Sequence, residues 1–253
     1  APDTPYWTVA SLPPPESVTW MVLSNLLCHT VDYSSAALLR RLLPMDAKRV
    51  QQEVRPQDLA AVTRLCAPLD PRTVVLVHAG RHWNTKTFPL PLWQAVVDGL
   101  AQAGLAVGLI GQDDETRGVL PVTCPPGGLD LRQRLSLDEL VALLSLAPVL
   151  VSNDSAPVHL AGAFDHGVVL IPSCKHPEHV LPYRHGSVFW RAAALYQRLT
   201  IDDVSARPTD VHGSSAEFEV ADWGRYLPDV AAVVDAAAGF ARALTTGGAD
   251  ADE

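Results

Sequence analysis

Asn153, Asp154 and Ser155 stand between an apolar run, Ala147 to Val151, and a helical pattern that begins at Pro157. Three polar residues at the carboxyl end of a strand, where a helix starts, can do one of two things. They can cap the helix, Asp154 or Ser155 accepting from its first amides. Or they can hold a ligand: the amides of Ser155 and Ala156 and the helix dipole suit a diphosphate, Asp154 suits sugar or ribose hydroxyls, and His159 follows one turn on. Both readings stand on the residues alone, with His159 as a core histidine in the first.

Two further polar stretches follow strands. In His78-Ala-Gly-Arg-His-Trp-Asn-Thr-Lys-Thr-Phe-Pro89, the small pair Ala79-Gly80 would let backbone amides approach an anion, and Lys86 is a flexible point charge suited to phosphate. In Gly111-Gln-Asp-Asp-Glu115, a carboxylate could take ribose hydroxyls. A surface turn with a solvated lysine and a solvated acidic turn are the alternatives. Ser173 to Arg184 adds Lys175 and Arg184 as cations lining the same edge; Cys174, His176 and His179 lack a fourth ligand at zinc spacing, so no metal is expected.

These loops need a scaffold that brings strand ends together. The pattern supplies one. Helices are expected over Pro56–Cys66, Leu90–Ala103 (ended by Gly104), from Ser136 with Glu139 as a capping box, over Pro157–Ala163 and over Leu227–Leu244. Strands are expected near Arg49–Val54 and at Thr73–Val77, Ala106–Ile110, Val149–Val151 and Val168–Ile171. Strands alternating with helices imply an α/β fold, a Rossmann-like parallel sheet with helices on both faces, whose ligands bind beyond the carboxyl ends of the strands. The expected organisation is an N-terminal extension over 1–70, a Rossmann-like domain over 71–244, and a Gly- and Asp-rich tail over 245–253.

Composition narrows the classes. The chain has 253 residues, 48% of them hydrophobic, and a net charge of −9, which disfavours a broad nucleic-acid surface. Four scattered cysteines without a C-x-x-C pair fit a reducing compartment, and a cytoplasmic location is expected. No apolar run has the length of a membrane span. Walker, dinucleotide, nucleophile-elbow and zincin signatures are all absent.

Taken together, the loops resemble glycosyltransferase family 9, the ADP-heptose:lipopolysaccharide heptosyltransferases, over roughly Thr73 to Arg184. Ala79-Gly80, Trp83, Lys86 and Phe88-Pro89 resemble the family's "PG" turn and "W..K.WP"; Asn153 to Ala161 resembles its "nDtGpmHlA"; Gly111 to Glu115 resembles "G.p.E"; Ser136 to Leu140 resembles "sL.eL..ll". Ala79 stands in place of the usual proline, and Ala156 in place of the usual glycine.

The resemblance implies the C-terminal, donor-binding half of an inverting GT-B enzyme. It implies Lys86 and Asp154 as catalytic residues. It implies Ala79, Gly80, Lys86, Gly111, Glu115, Asp154, Ser155, Ala156 and His159 as binding residues for a nucleoside-diphosphate sugar, an ADP-sugar in this family, with no cofactor or metal required. The acceptor, a glycan or another hydroxyl compound, and the catalytic base would belong to a partner chain or to an N-terminal GT-B domain, because only about 70 residues precede Thr73. The alternative is a non-catalytic sugar-nucleotide-binding or scaffold module that needs a partner chain.

Overall fold

The computed structural model describes residues 53–81, 86–113, 118–164, 167–171 and 227–247, with the side chains of 244–247 excepted. Helix α1 (Pro56–Cys66) starts on Pro56, which forfeits only an amide that would have no partner at a helix start. Arg55 then pairs with Asp58 of the same helix at 2.6 Å and with Asp138, on a helix that packs against the same core, at 2.5 Å. The remaining elements run in order: β1 (Val74–His78), β2 (Gly80–Arg81), α2 (Leu90–Gln102), β3 (Ala106–Leu109), β4 (Gly118–Val119), β5 (Leu129–Asp130), α3 (Leu137–Leu146), β6 (Val149–Asn153), α4 (Ala156–Ala161), β7 (Gly167–Ile171) and α5 (Val230–Gly247).

Five strands form one sheet in the order β5-β3-β1-β6-β7, and every pairing in it is parallel. From β1 the chain steps outward to β3 and β5, then returns to β6 on the other side of β1. The order therefore reverses between β1 and β6, and their carboxyl ends flank the crevice where such sheets take ligands. A separate two-stranded antiparallel ribbon, β2 with β4, stands beyond the end of β1.

Strand side chains alternate between two cores. Val74 and Leu76 of β1, Leu150 of β6, and Val168 and Leu170 of β7 pack with α1, α3 and α4 around Val62, Leu143 and Val158. Val75 and Val77, Val149 and Val151, and Val169 and Ile171 pack with α2 and α5 around Trp93, Leu100 and Val233. Burial on both faces explains why these strands read as unbroken Val/Leu/Ile runs.

Most element expectations hold. The helix over Pro56–Cys66 has the expected bounds, and Ser136 with Glu139 makes the full capping box. Helix α2 ends in a Schellman turn: Gly104 has φ +79°, Leu105 N–H donates to the Leu100 carbonyl at 3.1 Å, and Gly104 N–H to that of Ala101 at 3.0 Å.

Two expectations change. Glu53 and Val54 are not in a strand, and 49–52 lie outside the described residues. Val62 and Cys66 of α1 are fully buried in the first core, so this helix packs directly on the sheet. Helix α5 begins at Val230, three residues after the expected Leu227, and continues through Thr245, Thr246 and Gly247 into the stretch expected as tail. No described helix is long and apolar enough to cross a membrane.

Candidate functional site

Strand β6 runs two residues past the expected Val151, carrying Ser152 and Asn153 up beside the end of β1. Asn153 is 3% exposed and makes a clip. Its Nδ2 donates to the Gly80 carbonyl at 2.8 Å and to the Lys86 carbonyl at 2.7 Å, while its Oδ1 accepts from Gly80 N–H at 3.2 Å. One side chain thus fastens both ends of the loop that follows β1. A Cβ on Gly80 would stand 2.7 Å from both Asn153 Oδ1 and His78 Cε1, so nothing larger than glycine fits against the clip.

Below the clip lies His78, the last residue of β1. Its Nδ1 is 3.1 Å from Ser155 Oγ and 3.3 Å from Ser152 Oγ, and the two hydroxyls are 2.9 Å apart. Both hydroxyls also reach the Asn153 carbonyl, at 2.9 Å from Ser152 and 3.1 Å from Ser155. Burial pushes the imidazole from its ordinary 6.5 down to about 4, so His78 is neutral near pH 7.

Ser155 occupies the N-cap position of α4 but makes no capping bond, and Asp154 does not cap either. The capping reading fails because His78 and Ser152 hold the Ser155 hydroxyl back toward the sheet. Pro157, second in the helix, has no N–H, and Val158 N–H donates to the Ser155 carbonyl at 3.1 Å.

Asp154 is instead paired with Lys86, Nζ to Oδ2 at 2.5 Å, and the two side chains are only 14% and 9% exposed. His159 lies near this pair. Desolvation holds its pKa below the ordinary histidine value, with Lys86 acting in the same direction and Asp154 against it.

These groups line a cleft of about 560 Å³ over the reversal point of the sheet. Lys86, Asp154, Ser155, Ala156 and His159 line it, and so do Leu135, Leu137 and Leu140. Leu137 is 67% exposed at the start of α3. Gln112 reaches across the floor, its Nε2 donating to the Leu135 carbonyl at 2.8 Å.

The structure therefore gathers most of the residues expected from sequence, with three adjustments. Ala79 is not on the cleft: it is 5% exposed in the α2–α5 core, and its carbonyl accepts from Leu120 N–H at 2.9 Å. Gly80 lines the cleft, but its N–H is committed to Asn153, so the Ala79-Gly80 pair is not an open amide cradle for an anion. Gly111 lines the cleft with φ +138°, and a Cβ there would stand 2.2 Å from Val119 Cγ1; backbone conformation and space both require glycine.

Glu115 lies outside the described residues, as do Trp83, Asp114 and the cluster from Ser173 to Arg184. Among the described residues no group of side chains could hold a metal ion.

Sequence reasoning assigned no role to His78, Arg81 or Gln112, and named Asn153 only as one of the three polar residues that cap a helix or hold a ligand. His78 directly follows the strand expected to end at Val77, and Asn153 stands two residues past the one expected to end at Val151, so the pattern placed both in loops.

The family model of glycosyltransferase family 9 (heptosyltransferase) matches residues 24–201. The chain belongs to glycosyltransferase family 9. Among solved structures, a family 9 glycosyl transferase from Veillonella parvula superposes with a TM-score of 0.52 at 12% identity, over 82% of this chain and 58% of that one. The ADP-heptose LPS heptosyltransferase II of E. coli gives a TM-score of 0.49 at 15% identity, over 77% of this chain and 54% of that one. The family 9 chain described here thus spans a little over half the length of these two proteins. A comparison with curated proteins gives no match.

Proposed function

We propose that this chain binds a nucleoside-diphosphate sugar in the β1–β6 cleft and serves as the donor-binding part of an inverting glycosyltransferase. The observation that carries the reading is that Lys86, Asp154, Ser155, Ala156 and His159 line one cleft at the reversal of strand order, with Lys86 and Asp154 paired. Family membership supports transfer of a glycosyl group; the ADP-sugar donor, the inversion and the acceptor are parts of the proposal.

The chemistry follows from charge. As the bond between the anomeric carbon and the phosphate oxygen breaks, its electron pair stays on the diphosphate. Lys86 stabilises the charge that develops there, with Asp154 fixing the ammonium in place beforehand. The amides of Ser155 and Ala156 face the same charge. An acceptor hydroxyl attacks the opposite face of the sugar carbon and gives its proton to a base on a separate domain or partner chain. The apolar side chains of Leu135, Leu137 and Leu140, which line the same cleft, suit the flat face of a nucleobase.

A thermal-shift panel of ADP-, UDP-, GDP- and TDP-sugars tests the reading, because a ligand selective for the native state raises its melting temperature by mass action. One class of sugar nucleotide is expected to raise it, and Lys86→Ala to weaken that ligand by about tenfold or more. If none of the four shifts the transition, the proposal fails. Turnover measured with and without a candidate partner separates a catalytic subunit from a binding module.

A further inference from the structure

The cleft holds a second cation. Arg81, in the ribbon strand β2, lines the same cavity as Lys86, and its Nη2 donates to Asp113 Oδ1 at 3.0 Å. The ribbon is built around this pair. Arg81 is in register with Gly118 of β4, and a Cβ on Gly118 would stand 1.9 Å from Asp113 Oδ1 and 3.0 Å from Arg81 Nη2. The absent side chain at Gly118 is the slot in which the carboxylate and guanidinium sit.

The two ion pairs of the cleft differ in the property that decides which of them opens. Lys86 and Asp154 are almost enclosed, at 14% and 9% exposure, whereas Arg81 and Asp113 are 44% and 42% exposed. Separating an enclosed pair strands a charge away from water, while an exposed pair is worth little and is readily exchanged. A diphosphate carries negative charge on both phosphates, and the charge of Lys86 is already shared with Asp154. A second cation able to change partner is therefore needed. A guanidinium offers a planar fork of donors that matches phosphate oxygens. Among the described residues, only one of those donor nitrogens of Arg81 is engaged, by Asp113.

We propose that Arg81 is a second diphosphate-binding residue, held in waiting by Asp113 and released to the ligand when a nucleoside diphosphate enters. The proposal rests on the cleft taking such a ligand, and Lys86 and Arg81 then grip it from opposite loop ends.

The test is calorimetric titration of ADP, UDP, GDP and TDP into the full chain and into Arg81→Ala, Arg81→Gln, Arg81→Lys and Asp113→Asn. With the nucleotide that binds the parent chain best, Arg81→Ala and Arg81→Gln are expected to lose about 10- to 100-fold in affinity. Arg81→Lys should recover part of that loss. Asp113→Asn removes the competing carboxylate and should bind as tightly as the parent or more so. A pair that only braces the ribbon predicts the contrary pattern, with Arg81→Ala and Asp113→Asn weakened alike. That result, or parent-like affinity in both Arg81→Ala and Arg81→Gln, overturns the role of Arg81 and leaves the cleft reading intact. Failure of the parent chain to bind any of the four nucleotides overturns both.

Discussion

His78, which lines the cleft from the end of β1, shows how much of a site's geometry can rest on one buried residue. Its ring sits at the end of a fully buried strand with two serine hydroxyls on Nδ1, and a charge there has no water to meet it. The folded chain therefore refuses a proton that the unfolded chain accepts. Above about pH 6.5 neither state is protonated at this position, and its contribution to stability is complete. As pH falls from 6.5 toward 4, only the unfolded state takes the proton and stability drops; below about 4 the loss levels off. His78→Gln should flatten that part of the profile. Urea midpoints at pH 7.5, 6 and 5 for the parent and the variant check it, and parallel profiles would show that His78 is not the group responsible. None of this was legible in the sequence, where His78 read only as the first residue of a loop. Ser155 was half legible: its place at the start of α4 was evident, but the direction of its hydroxyl depends on a histidine 77 residues away in the chain.

At the scale of elements, local chemistry was readable wherever the partners are close in sequence. The Ser136–Glu139 capping box and the Gly104 terminus are each decided within a few residues, and both are legible in the sequence. Elements settled by distant contacts were not. The two-residue ribbon β2–β4 has no periodicity to read, and Asn153 and Ser152 extend β6 because β1 and β7 continue beside them. Gly111 belongs to this class. The sequence closes the strand there and the resemblance makes it a binding residue; what only the fold shows is the turn at positive φ with Val119 against its α-carbon. Gly111→Ala should cost roughly 2–4 kcal/mol from combined overpacking and backbone strain. A thermal melt of the ligand-free variant measures this, and an unchanged transition would mean that β4 moves aside freely.

For the whole molecule, the order β5-β3-β1-β6-β7 was implied only in class by the alternation of strands and helices. Which strands neighbour each other depends on contacts far apart in the chain, and with them the position of the reversal and of the cleft. The division into two cores then separates stability from binding. Val233 of α5 is fully buried in the core that faces away from α3 and α4, which wall the cleft. Val233→Ala should cost roughly 2 kcal/mol of folding stability and leave nucleotide affinity within about twofold. Chemical denaturation and a binding titration on the same sample check the two halves, and an affinity loss beyond that would mean that the sheet transmits strain from one side to the other.

The proline at the second position of α4 has a consequence for the ligand proposed above. With that amide deleted and Val158's turned inward, the helix offers incoming oxygens only a narrow purchase, through Ser155 and Ala156. A lone inorganic anion finds little to wrap it there. An extended molecule that reaches at once the ammonium of Lys86, the ribbon and the leucines of the cleft gains anchorage at every station, so the geometry rewards length over charge density.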